Sequence, residues 1–131
     1  MISEFSNNEK RRILYVDDEE INLELFKLSF RNHFDIVTAK SAREGLQILR
    51  EQQIPLVVTD YKMPEMDGIK FIEEIKKEDP DIVCLIVTGF IDVVINGKED
   101  LIFDMILKPW KKEDVRNKIL AGLEAFYKVR I

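Results

Sequence analysis

Four short pieces of the chain carry side chains that can do chemistry together: Asp17-Asp18, Asp60, Thr88 and Lys108. They are far apart in sequence, so only a fold can bring them together. If it does, three carboxylates share one small volume. Two such charges about 4 Å apart repel by roughly 4 kcal/mol at an effective dielectric near 20. Such a cluster needs a cation or raised pKa values. Lys108 supplies one positive charge and cannot neutralise three negative ones. A hard divalent cation fits better, and a few oxygen ligands with open positions suit Mg²⁺, which keeps waters and takes phosphate oxygens. Asp60 can then act as a nucleophile toward a phosphoryl group. Thr88, followed by Gly89, offers a hydroxyl donor and a backbone that a phosphoryl oxygen can approach. Each piece also has a plainer reading on its own. Asp17-Asp18 ahead of Glu19-Glu20 fits the acidic start of a helix. Asp60 with Pro64 and Gly68 fits a strand-end turn. Thr88 fits an ordinary β-branched strand residue, and Lys108 a solvated lysine. Convergence of the four is what favours the phosphoryl site.

The elements around these residues make convergence plausible. Apolar runs of strand length alternate with amphipathic stretches of helix length. Strands are expected over 12–16, 34–38, 55–59, 82–87 and 103–107. Helices are expected where Ile21, Leu25 and Leu28 recur, over Ala42–Glu51 with Ser41 as N-cap, and over Gly68–Glu78, stopped by Pro80. A last helix is marked by Val115, Ile119, Leu123 and Phe126. Residues 91–95 read as a short helix stopped at Asn96-Gly97, with Lys98-Glu99-Asp100 as loop. This βα alternation argues for an α/β fold, a parallel sheet covered by helices on both faces. Every strand except the second ends in one of the chemical residues, and ligands of open α/β sheets bind beyond the carboxyl ends of the strands.

Composition agrees and narrows the class. The 131 residues are enough for one domain, and 46% hydrophobic content can fill its core without disulfide or metal staples. The single cysteine, Cys84, lies in an apolar run and reads as a buried small hydrophobe. A net charge of −5 argues against direct nucleic-acid or anionic-membrane binding. The longest apolar run, Ile82–Val87, is far below the roughly 20 residues that a membrane helix needs. Residues 1–10 are polar, lack an apolar signal core and read as a flexible tail, so the protein is expected to be cytoplasmic.

Together, Asp17-Asp18, the stretch Asp60-Tyr61-Lys62-Met63-Pro64-Glu65-Met66-Asp67-Gly68, Thr88-Gly89 and Lys108-Pro109-Trp110 resemble the receiver domain of two-component response regulators. The resemblance covers nearly the whole chain, with a receiver domain over 11–128 and a last helix that could continue to 131. It implies a flavodoxin-like, doubly wound five-stranded sheet in the order 2-1-3-4-5. Asp60 is then the phosphoacceptor. Asp17, Asp18, Asp60 and the backbone carbonyl of Lys62 hold Mg²⁺, Asp17 largely through water. Thr88 and Lys108 hold the phosphoryl oxygens. The implied phosphoryl donor is a sensor histidine kinase or a histidine phosphotransfer protein. The implied readers are an output domain, an effector protein or a second copy in a homodimer.

Two features depart from the family pattern. Met105 stands three residues before Lys108, where the family usually has an aromatic or His that turns inward with the Thr. The fourth helix, within 90–102, is expected to be short or irregular. Beside a complete acidic and phosphate-binding set, they predict intact phosphorylation with an altered relay at switch positions Thr88 and Met105. Phe90, two after Thr88, is expected to shield the phosphoryl group from water. His33 has no Cys or His partner in the sequence and reads as a surface residue. The main rival is a receiver-like interaction module that works without phosphorylation. A haloacid-dehalogenase-type phosphatase would need a second Asp where Lys62 stands, and a flavin-binding flavodoxin would not place four acids at its phosphate loop.

Overall fold

Five runs rich in Val, Ile and Leu become strands: β1 (Arg12–Val16), β2 (Asp35–Ala39), β3 (Leu56–Asp60), β4 (Val83–Thr88) and β5 (Asp104–Leu107). The structure, a computed structural model, describes residues 11–89 and 97–130. All pairings are parallel and the order is β2-β1-β3-β4-β5. The flavodoxin-like order implied by the resemblance is therefore the observed one. Strands β3 and β4 are buried along their whole length, as central strands covered on both faces must be. Alternation divides the core. Ile13, Tyr15, Val58 and Leu85 face one helical layer; Leu14, Val16, Val57 and Ile86 face the other.

The chain leaves β1 outward to β2 and returns to β3, so the carboxyl ends of β1 and β3 flank the point where the winding reverses. A crevice opens there in doubly wound sheets. Asp17 directly follows β1, and Asp60 is the last residue of β3. Topology alone therefore delivers two of the carboxylates to one place.

Four α-helices are present among the described residues: α1 (Glu20–Phe30), α2 (Ala42–Glu51), α3 (Gly68–Glu78) and the C-terminal α4 (Lys112–Arg130). The α2 bounds and its Ser41 cap are as expected, with Ser41 Oγ accepting from the Glu44 amide at 3.1 Å. Helix α3 is capped by Asp67, whose carboxylate accepts from the Lys70 amide at 2.9 Å. Val115, Ile119 and Leu123 of α4 are buried, and Phe126 packs half-buried beside them. Cys84 is buried, and burial pushes its thiol pKa up to about 12.

Several expectations need correction. Ile21, Leu25 and Leu28 mark a helix but not its buried face: they are 72%, 54% and 55% exposed. Leu23, Phe26 and Phe30 are buried instead. Helix α1 is apolar on two sides, and the side bearing two phenylalanines fills the space over the sheet. Strands β2 to β5 begin one residue later than expected. For β2 the register explains it, since Arg12 Nε pairs with Asp35 Oδ2 at 3.0 Å. Of Lys98-Glu99-Asp100, expected as loop, Glu99 and Asp100 form a 3₁₀ turn with Leu101, and Lys98 Nζ pairs with Glu73 Oε2 at 2.8 Å. Residues 90–96, where a short helix is expected over 91–95, and the tail 1–10 lie outside the described residues. No described helix is long and apolar enough to cross a membrane.

Gly68 links the fold to the rim. Its amide donates to the Tyr61 carbonyl at 2.8 Å, and a Cβ there would meet the Asp60 carbonyl oxygen at 2.5 Å and Tyr61 Cα at 3.0 Å. Those are backbone atoms that cannot swing away. Gly68→Ala is expected to cost about 1–3 kcal/mol, the usual range for overpacking. Urea unfolding measures it, and an unchanged midpoint would show that the loop after Asp60 yields freely.

Candidate functional site

Asp17 is fully buried, yet it is well supplied with donors. Its Oδ1 accepts from the Glu19 amide at 3.0 Å. Its Oδ2 accepts from the Tyr15 hydroxyl at 3.0 Å and from Asn22 Nδ2 at 3.1 Å. Asp60 is 5% exposed, and its Oδ1 receives Lys108 Nζ at 2.8 Å. Asp18 is exposed. Each of the three carboxylates offers an oxygen, and these oxygens lie within 4.8 Å of one another. This all-oxygen set of hard donors fits a divalent cation such as Mg²⁺. A cleft of about 450 Å³ opens beside it, walled by Asp18, Glu19, Asn22, Asp60, Lys62, Met63, Pro64 and Lys108.

The other predicted residues can be placed from the strand register. Thr88 ends β4, one residue beyond Val87, the partner of Asp60. It is buried on the same rim, and its carbonyl accepts from the Lys108 amide at 2.9 Å. That bond fixes where the lysine leaves β5. Lys62 stands in the cleft wall. Met105 lies on β5 opposite Ile86, half-buried against the α2–α3 layer. Phe90 is outside the described residues. His33 is half-buried beside the Phe34 ring, with ring centroids 6.2 Å apart.

Charge and burial oppose each other here. Burial raises the Asp60 pKa above the ordinary carboxylate value. The hydrogen bond from Lys108 works against this, and the charges of Asp17 and Asp18 add to the rise. Partial burial works to lower the Lys108 pKa, but its bond to Asp60 and the surrounding acids hold it above the ordinary lysine value. Burial, then the Asp17 charge, pushes the Tyr15 phenol upward, so it remains a donor. One cation does not satisfy three acids.

The supports of Asp17 are the part that sequence reasoning missed. A signal was available: Tyr15 lies two residues before Asp17, and residues two apart on an extended chain share a side.

Residues 13–120 match the model of the response regulator receiver domain. The chain belongs to that family. Relatives of this receiver domain include the transcriptional regulatory protein GlrR of Escherichia coli K12, 33% identical over 86% of this chain and 26% of GlrR. CpdR, a response regulator receiver protein of Brucella abortus, is 30% identical over 84% of this chain and 93% of CpdR. The chain spans about a quarter of the length of GlrR and of the hydrogenase transcriptional regulatory protein HoxA of Cupriavidus necator. Among solved structures, a response regulator receiver domain protein from Clostridium thermocellum superposes with a TM-score of 0.84 at 31% identity, covering 92% of this chain and 98% of that one. TrrA of Thermotoga maritima, solved in complex with Mg²⁺-BeF, superposes at 0.79 with 25% identity, covering 86% and 98%.

The raised Asp60 pKa has a consequence for stability. An acid whose pKa is higher folded than unfolded opposes folding once ionised. Its cost is absent below the unfolded pKa and grows as pH rises through the folded one. Asp60→Asn is therefore expected to raise the melting temperature at pH 7 in Mg²⁺-free buffer. The gain should shrink as pH falls into the range where Asp60 protonates. Paired melts across pH check it.

Proposed function

We propose that this receiver domain accepts a phosphoryl group from a phosphohistidine donor onto Asp60, in a Mg²⁺-dependent reaction. The observation that carries this reading is the 2.8 Å Lys108–Asp60 pair set among three carboxylates within 4.8 Å. Lys108 engages Oδ1 and leaves Oδ2 of Asp60 for attack. A new P–O bond forms to Asp60 as the P–N bond of the donor breaks, and the imidazole keeps the electron pair. Mg²⁺, when bound, would neutralise charge on the acids and on the transferring phosphoryl oxygens. Asp17, Asp18, Asp60 and the Lys62 carbonyl are the ligands in this reading. The Lys108 ammonium and the Thr88 hydroxyl receive the phosphoryl oxygens. Positioning and charge neutralisation carry the chemistry.

The same reading assigns the partners. A sensor histidine kinase or a histidine phosphotransfer protein supplies the phosphoryl group. The exposed Ile21, Leu25 and Leu28 recur along α1, and Leu25 lines a hollow shared with Asn22 and Lys108 of the cleft wall, which suits a helical donor. The output is read from the face that the family builds from its fourth helix, fifth strand and last helix, of which β5 and α4 are the described parts here, by an output domain, an effector or a second copy. This places the protein in the cytoplasm, with a receiver domain over 11–128 and a tail before it. Receiver domains are signalling domains, and in this reading the chain assists only its own phosphorylation and dephosphorylation. Met105 offers no ring to turn inward with Thr88, so the relay is altered while the chemistry is kept. That same residue favours the second reading, a module whose binding ignores phosphorylation.

Intact mass after incubation with a small-molecule phosphodonor tests the reading. One phosphoryl adduct is expected in Mg²⁺, none in chelator, and none in Asp60→Asn. No adduct on the folded wild type, from this donor or from a phosphohistidine donor, would favour the phosphorylation-independent module.

A further inference from the structure

Tyr15 is a buried phenol that the proposed phosphoryl chemistry does not use. Its hydroxyl donates to Asp17 Oδ2 at 3.0 Å, deep at the end of β1. Its ring lies flat on Phe26, with centroids 3.9 Å apart and planes within 3° of parallel. Phe26 in turn meets Phe30 at 4.7 Å and Trp110 at 6.0 Å, and Trp110 meets Phe30 at 5.5 Å. The stack holds the ring from α1 and from the start of the last helical segment, so the hydroxyl has little freedom in where it points. We infer that Tyr15 is a positioning residue for the cation site, fixing the Asp17 carboxylate so that its charge faces Asp18 and Asp60.

Asp17 accepts from three donors. All three, the Tyr15 hydroxyl, Asn22 Nδ2 and the Glu19 amide, are neutral. Neutral donors orient a carboxylate without cancelling its charge, which stays available to a cation. They also make it tolerable to bury that charge before a cation arrives. Of the two donors on Oδ2, Asn22 is the half-exposed one: its amide gives one hydrogen to Asp17 and the other to Glu19 Oε1 at 3.3 Å, on the first turn of α1. Tyr15 is the donor packed in the core. Without its hydroxyl, Oδ2 depends on the half-exposed Asn22 amide alone.

This inference rests on the cation reading of the site, and the test separates the two. Calorimetric Mg²⁺ titration is made on the wild type, Tyr15→Phe, Asp17→Asn and the double variant. Tyr15→Phe keeps the ring on Phe26 and removes only the oxygen. Its Mg²⁺ Kd is expected to rise about tenfold, the lower end for groups behind a metal ligand. In the Asp17→Asn background the same change should have no further effect, because the hydroxyl acts through that carboxylate. Phe26→Leu loosens the stack that holds the ring but keeps the hydroxyl, so it should raise Kd in the same direction by less than Tyr15→Phe. Asn22→Ala gives a second variant on the same oxygen, with a weakening in the same direction. Wild-type Kd in Tyr15→Phe, or an equal loss with and without Asp17, would overturn the role of Tyr15 alone. A wild type that binds no Mg²⁺ would overturn both this role and the cation reading.

Discussion

The carboxylates of Asp17, Asp18 and Asp60 come within 4.8 Å of one another, and at that spacing each pair repels by roughly 3–4 kcal/mol at an effective dielectric near 20. Much of the surrounding structure answers that repulsion. Lys108 is brought to Asp60 by a β5 whose exit is pinned to the Thr88 carbonyl. Asp17 is sustained by neutral donors from β1, from α1 and from the turn between them. What remains is net negative charge at the mouth of a cleft that one lysine does not balance. In the proposed reading that residual charge is what a cation would neutralise, so that a phosphoryl group could approach three acids.

The sheet makes this concentration of charge tolerable. Strands β3 and β4 are buried along their length and pair in register, so Asp60 and Thr88 emerge from a rigid platform. The loop after Asp60 is drawn back against the strand by the Gly68 amide, a close approach that no side chain at that position permits. Rigidity on the β3–β4 side contrasts with β5, an edge strand with one buried residue, Ile106, and a half-buried Met105. In the proposed reading, a signal from phosphorylated Asp60 would be expressed most readily toward that edge.

Much of this was legible in the sequence, for identifiable reasons. Fold class and strand positions followed from apolar runs of strand length, because parallel strands buried on both faces tolerate little else. Convergence of Asp17, Asp18, Asp60 and Lys108 followed from their places at strand ends. The buried face of α1 was not legible, because Ile21, Leu25 and Leu28 repeat with the same period as Leu23, Phe26 and Phe30. Periodicity reveals a helix but cannot choose between two apolar sides. The Tyr15–Asp17 bond was hidden for a different reason: tyrosine in a strand reads as core, and only the structure shows where its oxygen ends. The turn at 99–101 closes on its own backbone bonds beside a long-range pair, Lys98 with Glu73, which no local pattern announces.

The central claim is that the acidic cluster is an incomplete cation site. Thermal melting in Mg²⁺, against NaCl of equal ionic strength, tests it most directly. A ligand that binds only the folded state stabilises it in proportion to the logarithm of its occupancy ratio. Diffuse screening by salt acts alike for any cation. The account predicts that millimolar Mg²⁺ raises the wild-type melting temperature well beyond the matched salt control, and that Asp18→Asn loses most of that difference. Equal melting temperatures in Mg²⁺ and in matched NaCl would contradict it.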